Sequence, residues 1–164
     1  DQTAGPPAAA RERLGRLAED WEGRVGGMSR RRRRRRMRQV VGRALAAGGP
    51  TEAEAVEIAV LARDVEVRDE AWAMMSRDRG EEHVALWRRV VSVAVWPYQA
   101  GPLGMLAIAG WMSGNGALLN CCIDRLEEVA PDYTLLGICK DISELAIAPS
   151  CFDELAAGLR GTHG

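Results

Sequence analysis

The sequence predicts an all-α fold of eight or nine short helices packed as antiparallel hairpins. Three observations carry this. Apolar residues recur at the 3.6-residue period in nearly every stretch of ten or more residues, caps and breakers punctuate those stretches, and the strict alternation of a half-buried strand is not found. A chain of 164 residues is long enough to bury roughly 70% of its unfolded surface, so it needs no disulfide or metal staple. Hydrophobic residues at 47% and charged residues at 27% are ordinary globular proportions and exclude bulk disorder. One helical domain is expected over 10–160, between a flexible tail at 1–9 and a short tail at 161–164.

The first helix is expected from Ala10 to about Val25, where Leu14, Leu17, Ala18, Trp21 and Val25 fall at helical spacing before Gly26-Gly27 breaks the run. Ser29 is placed to cap the second helix. Its first two turns are arginines, its second half is the amphipathic series Met37, Val40, Val41, Ala44 and Leu45, and Gly48-Gly49-Pro50 ends it. Thr51 followed by Glu54 is a capping box, the firmest helix start in the chain. Helix three then runs to about Val65 with Val56, Ala59, Val60 and Ala62 among its apolar positions. A short fourth helix, from about Arg68 to Arg77, carries Ala71, Trp72 and Met75, with Asp69 as its cap and Arg68 tying neighbouring helices. Adjacent helical residues do not face each other, so Arg68 and Asp69 are not read as a functional pair. Glu81 to Val95 repeats the spacing with Val84, Trp87, Val91 and Ala94, and Trp96-Pro97-Tyr98 terminates it.

Gly101 to Pro131 reads as a helical hairpin around which the rest is organised. Pro102 to Met112 is apolar almost throughout, the mark of a central helix, whereas Leu119, Cys122, Ile123, Leu126 and Ala130 share one face of an amphipathic partner. Ser113-Gly114-Asn115-Gly116 turns the chain between them. Ala107, Leu119, Ile123, Leu126 and Pro131 reproduce part of a tetratricopeptide pattern, without a second 34-residue copy. Beyond Pro131, Asp132 is placed to cap a helix with Leu135, Leu136, Cys139, Ile142 and Leu145 inward. Ser150 and Asp153 open a last helix with Phe152, Leu155 and Leu159 inward.

Charge is unevenly spread along the chain. Residues 1–50 hold 13 arginines against 5 acids, and residues 51–164 hold 9 basic residues against 18 acids, so the two parts attract each other or the basic end meets a polyanion. Most of the asymmetry sits in Arg30, Arg31, Arg32, Arg33, Arg34, Arg35 and Arg36, followed by Arg38. Seven consecutive helical arginines cover every face, so three or four could reach phosphates whichever side docks, with high affinity and poor specificity. The run has no interleaved aromatics for stacking on single strands. The alternative is an arginine-rich surface paired with the acidic remainder of the chain.

No catalytic signature is present, and the chain is expected to be neither an enzyme nor a cofactor binder. Cys121, Cys122, Cys139 and Cys151 show no C-x-x-C spacing and read as buried, reduced thiols, not a metal site. His83, beside Glu81 and Glu82, reads as a solvated surface residue. Gly114-x-Gly116 follows no strand and precedes no lysine, so it reads as a turn and not a phosphate cradle. With no signal peptide and no apolar run near 18 residues, a cytoplasmic, non-membrane protein is expected.

Val67-Arg68-Asp69-Glu70-Ala71, Trp87, the segment Leu103 to Trp111, Gly114-Asn115-Gly116-Ala117 and Pro131-Asp132-Tyr133-Thr134-Leu135 occur in that order. Together they resemble the C-terminal half of the actinobacterial family catalogued as domain of unknown function 4192, over about Ala10 to Leu159. Asn115 stands where that family usually has aspartate, and the family's N-terminal half has no counterpart here. The resemblance implies an actinobacterial cytoplasmic protein built as a helical module, and no activity.

Large side chains at helix ends and linkers, Trp96, Tyr98, Met28 and Met112, together with the missing half, point to an apolar groove that includes Trp96, Tyr98 and Trp111. A protein partner or a homo-oligomeric contact near Trp96 or Trp111 is expected to cover it. The function expected first is a helical protein-interaction module. The alternatives are a nucleic-acid-binding domain acting through the arginine run 30–38, and an enzyme of unrecognised type.

Overall fold

The computed structural model describes the backbone of residues 2–162 and the side chains of residues 2–155, 157 and 158. These residues form nine α-helices and no strand. The hub is α6 (Ala100–Met112), buried along its whole length from Gly101 to Met112, as its lack of a polar face requires. It packs between α5 (Gly80–Val93) and α7 (Gly116–Val129), the latter completing the expected hairpin, and it also touches α4 (Val65–Ala73) and α8 (Thr134–Glu144). Two of its glycines permit close approaches of other segments. A Cβ on Gly101 would stand 2.7 Å from the carbonyl oxygen of Ala62, and one on Gly104 would stand 2.7 Å from Leu135 Cδ2.

The N-terminal helices form the second half of the core. α1 (Ala8–Gly26) lies on α3 (Glu52–Leu61), while α2 (Arg30–Ala46) packs on α3, α4 and α5. α9 (Phe152–Thr162) returns to α4 and places the buried Phe152 edge-on to Trp111, with ring centroids 6.1 Å apart. Ser29 caps α2 and Asn115 caps α7, and the Thr51–Glu54 box is present with both reciprocal bonds.

Several expectations are corrected. α4 begins at Val65 because Asp64, not Asp69, accepts the backbone N–H of Glu66. Neither Asp132 nor Ser150 supplies a cap, since α8 starts after Tyr133 and a short 3-10 turn over Pro149–Cys151 precedes α9. Leu145 is 71% exposed because α8 ends at Glu144 and the backbone turns through a positive φ at Ala146. Leu155 is exposed, and the side chain of Leu159 lies outside the described residues.

The expected N-terminal tail also differs. Thr3 is only 4% exposed, Pro6 is buried, and Arg88 Nη2 donates to Gln2 Oε1 at 2.6 Å. Pro6-Pro7 holds this segment extended, and the helix begins directly after it at Ala8. Residues 161–162 belong to α9, and 163–164 lie outside the description.

Candidate functional site

Two surfaces collect the residues singled out in the sequence. The first is the arginine half of α2. Its inner flanks meet acids on α3 and α4: Arg36 makes a two-bond fork on the buried Glu57 at 2.6 and 3.0 Å. Arg34 and Arg38 share Glu70 at 2.6 and 2.7 Å. Arg30 and Arg33 reach Asp64 at 3.0 and 3.6 Å, and Arg30 also lies 3.6 Å from Glu66. Partial burial works to raise the Asp64 and Glu70 carboxyls, but the guanidinium bonds outweigh it and hold both below the usual carboxylate range. The Arg36 guanidinium is driven the other way, upward, chiefly by its bond to Glu57.

The internal-pairing reading therefore accounts for five of the eight arginines. Arg31, Arg32 and Arg35 remain exposed, with no carboxylate partner among the described residues. Helical geometry explains the split. At about 100° per residue, Arg31 and Arg35 lie about 40° apart on the side opposite Met37, Val40 and Ala44, with Arg32 flanking them.

The second surface is a groove of about 950 Å³. It is lined by residues 3–7, by Arg11 and Gly15 of α1, by Val95, Trp96 and Gln99 between α5 and α6, and by Cys121, Asp124, Arg125 and Glu128 of α7. α1 and α7 make no extensive contact with each other. The N-terminal segment runs beside the turn and α7, since a Cβ on Gly5 would lie 3.8 Å from Gln99 and 3.9 Å from Arg125. Trp96 stands at the edge with 78% of its surface exposed. The turn holding it is anchored from within: Tyr98 N donates to Val95 O at 2.7 Å, and the Tyr98 hydroxyl donates to Glu22 at 2.9 Å.

Of the three expected groove residues, only Trp96 lines it. Tyr98 and Trp111 are core residues whose polar atoms find partners within the chain, Tyr98 at Glu22 and Trp111 Nε1 donating to Ile147 O at 2.8 Å. The sequence reading missed Arg11, Cys121, Asp124 and the segment 3–7. Pro6-Pro7 was the available signal, since a rigid extended segment can lie along a surface.

Rim charges differ in state. Arg125 Nη1 donates to Glu128 Oε2 at 2.8 Å, whereas Arg11 bonds only the carbonyl of Pro6, at 3.3 Å. Neither Arg11 nor Asp124 has an ion-pair partner among the described residues.

Elsewhere the polar core is structural. His83 is 1% exposed, not solvated, because it lies one turn before Trp87 on the inward face of α5. Arg68 and Asp69 do meet, contrary to expectation: the long side chain folds back so that Nε and Nη2 donate to Asp69 Oδ1 at 3.0 and 2.6 Å, while Nη1 donates to Tyr133 at 2.7 Å. Arg68 thus ties α4 to α8 as anticipated. Burial pushes the Cys122 and Cys139 thiols up to about 12, so both stay protonated; Cys121 is exposed and Cys151 half-buried, which corrects the reading of four buried thiols.

Among the described residues no group of three or more His, Cys, Asp or Glu could hold a metal ion, and no helix is long and apolar enough to cross a membrane. No curated protein and no solved structure matches the chain. The model of one family does: domain of unknown function (DUF4192) matches residues 2–150, a span that takes in α1 to α8, the arginine helix and every groove residue. The chain belongs to that family.

Proposed function

We propose that this chain is a non-enzymatic helical interaction module that binds a polypeptide partner in the groove beside Trp96. One observation carries the reading. Trp72, Trp87 and Trp111 are buried and Trp21 is half-buried, whereas Trp96 is held in solvent at the mouth of a concave surface. Tryptophan is the residue most enriched at binding hot spots, and a turn whose backbone is held before binding loses little conformational freedom on docking. The bonds of Tyr98 hold that turn, and the Gln99 amide with charges of both signs suits a polypeptide backbone and its side chains.

Panning a random-peptide display library against the immobilised chain tests this reading, with the Trp96→Glu variant as counter-target. Enrichment of peptides retained by the wild type and lost on the variant is expected. Failure to enrich, or peptides indifferent to Trp96, would sink it.

A second reading rests on a different observation, the three exposed arginines without acid partners. A polyanion would meet Arg31, Arg32 and Arg35, since the rest of the run already holds acids. Replacing these three by Gln should abolish retention on heparin without changing the melting temperature, and flatten the salt slope by roughly one unit per lost phosphate contact. Equal retention of variant and wild type would rule this reading out.

A further inference from the structure

We infer that the groove beside Trp96 takes a second copy of this chain, in a two-fold dimer where each Trp96 enters the partner groove and each Arg11 faces Asp124 of the other copy. The inference rests on the groove being the docking surface, and it names the occupant.

The first argument is shape. A two-fold contact is self-complementary, so it needs a projection and a recess on one surface. Trp96 is the exposed projection and is itself a lining residue of the recess. One indole cannot fill the groove whose edge it forms, but it can fill its neighbour's. A single sequence position then contributes two buried rings.

The second argument is charge. Arg11 belongs to α1 and Asp124 to α7, the two helices that bring charges to the groove without packing extensively on each other. A two-fold axis running along the groove exchanges its sides. It therefore lays the Arg11 side of each copy over the Asp124 side of the other and makes two equivalent pairs. The remaining rim charges, Arg125 and Glu128, are already paired within one copy. The rim is thus neutral, with one charge of each sign left without an ion pair among the described residues, Arg11 on α1 and Asp124 on α7, which suits self-association better than a uniformly charged partner. With a net charge of only -1, two copies approach without long-range repulsion.

Sedimentation equilibrium of the full chain, with circular dichroism to confirm folding of each variant, provides the test. The wild type is expected to dimerise below about 100 μM, a concentration that populates even weak contacts. Trp96→Glu, at an exposed position, should remain monomeric there with unchanged helicity. Arg11→Asp and Asp124→Arg should each raise the dimer Kd about tenfold or more by setting like charges opposite each other, and the double variant should return it to within about threefold of wild type. A monomeric wild type at about 100 μM overturns the inference, while the display experiment still decides independently whether the groove binds polypeptide. A dimer unaffected by Trp96→Glu, or a charge exchange that fails to rescue, overturns it as well.

Discussion

Both ring nitrogens of His83 are enclosed without a hydrogen-bond partner among the described residues. Burial, helped by the positive charge of Arg79 and opposed by Glu82 and Asp78, lowers the imidazole pKa from 6.5. The folded state therefore holds the ring neutral to lower pH than the unfolded state does. Below about pH 6.5 the unfolded chain binds the extra proton, so this residue's contribution is intact above that pH and is lost as the pH falls toward the folded value. Thermal unfolding should show a melting temperature that declines between about pH 7 and 5, above the range where the carboxylates of Glu70 and Asp64 begin to protonate. In His83→Leu that decline should be absent; a variant with the wild-type pH slope would refute the assignment. At Arg68 the concern is pairing, not protonation. Arg68→Met leaves the buried Asp69 without its guanidinium and should cost about 3–5 kcal/mol in urea unfolding, whereas Tyr133→Phe removes one bond and should cost about 1 kcal/mol. Arg68→Met removes the Tyr133 bond as well, so equal costs would mean that the Arg68–Asp69 contact adds nothing to stability. The Arg68–Asp69 contact was not legible beforehand, because the rule that neighbours diverge describes Cβ directions and not the reach of a guanidinium.

At the level of helices, α2 shows how seven successive arginines can be accommodated. Four of them, with Arg38, meet acids that lie 21 to 36 residues away in sequence, and α3, α4 and the α4 cap Asp64 present those acids toward α2. Arg36→Gln should lower the melting temperature, since it leaves Glu57, 1% exposed, without its fork. The exposed set Arg31, Arg32 and Arg35 should be thermally neutral. On α6 the constraint is space. Gly101→Ala directs a methyl group at the fixed carbonyl of Ala62, 2.7 Å away, and should destabilise by about 1–3 kcal/mol, measured by urea unfolding. A neutral outcome would mean that α3 and α6 can separate without loss. The hub role of α6 could be read from its unbroken apolar run, and the starts of α2 and α3 from Ser29 and Thr51. The start of α4 could not, because Asp64 and Asp69 are chemically equal caps until packing decides which one stands at the helix end.

Across the whole molecule the basic first third and the acidic remainder are joined chiefly through α2. Raising the salt from about 0.05 to 0.5 M should therefore lower the melting temperature by a few degrees, since the exposed pairs are screened and the buried Glu57 fork is not. A rise with salt would show that repulsion among the arginines outweighs their pairing. Helix positions, the inward face of most helices and the centrality of the α6–α7 hairpin were legible from residues alone, because period, caps and breakers act over four or five neighbouring positions. The exposure of Trp96, the burial of Tyr98 and His83, and the docking of residues 2–7 were not. Each depends on partners far away in sequence, 86 residues in the case of Gln2 and Arg88, and no local pattern records which of several chemically suitable residues will be brought alongside. The groove itself belongs to this second kind: its lining comes from three separate stretches of chain, and it exists only once α1, α5, α6 and α7 have packed.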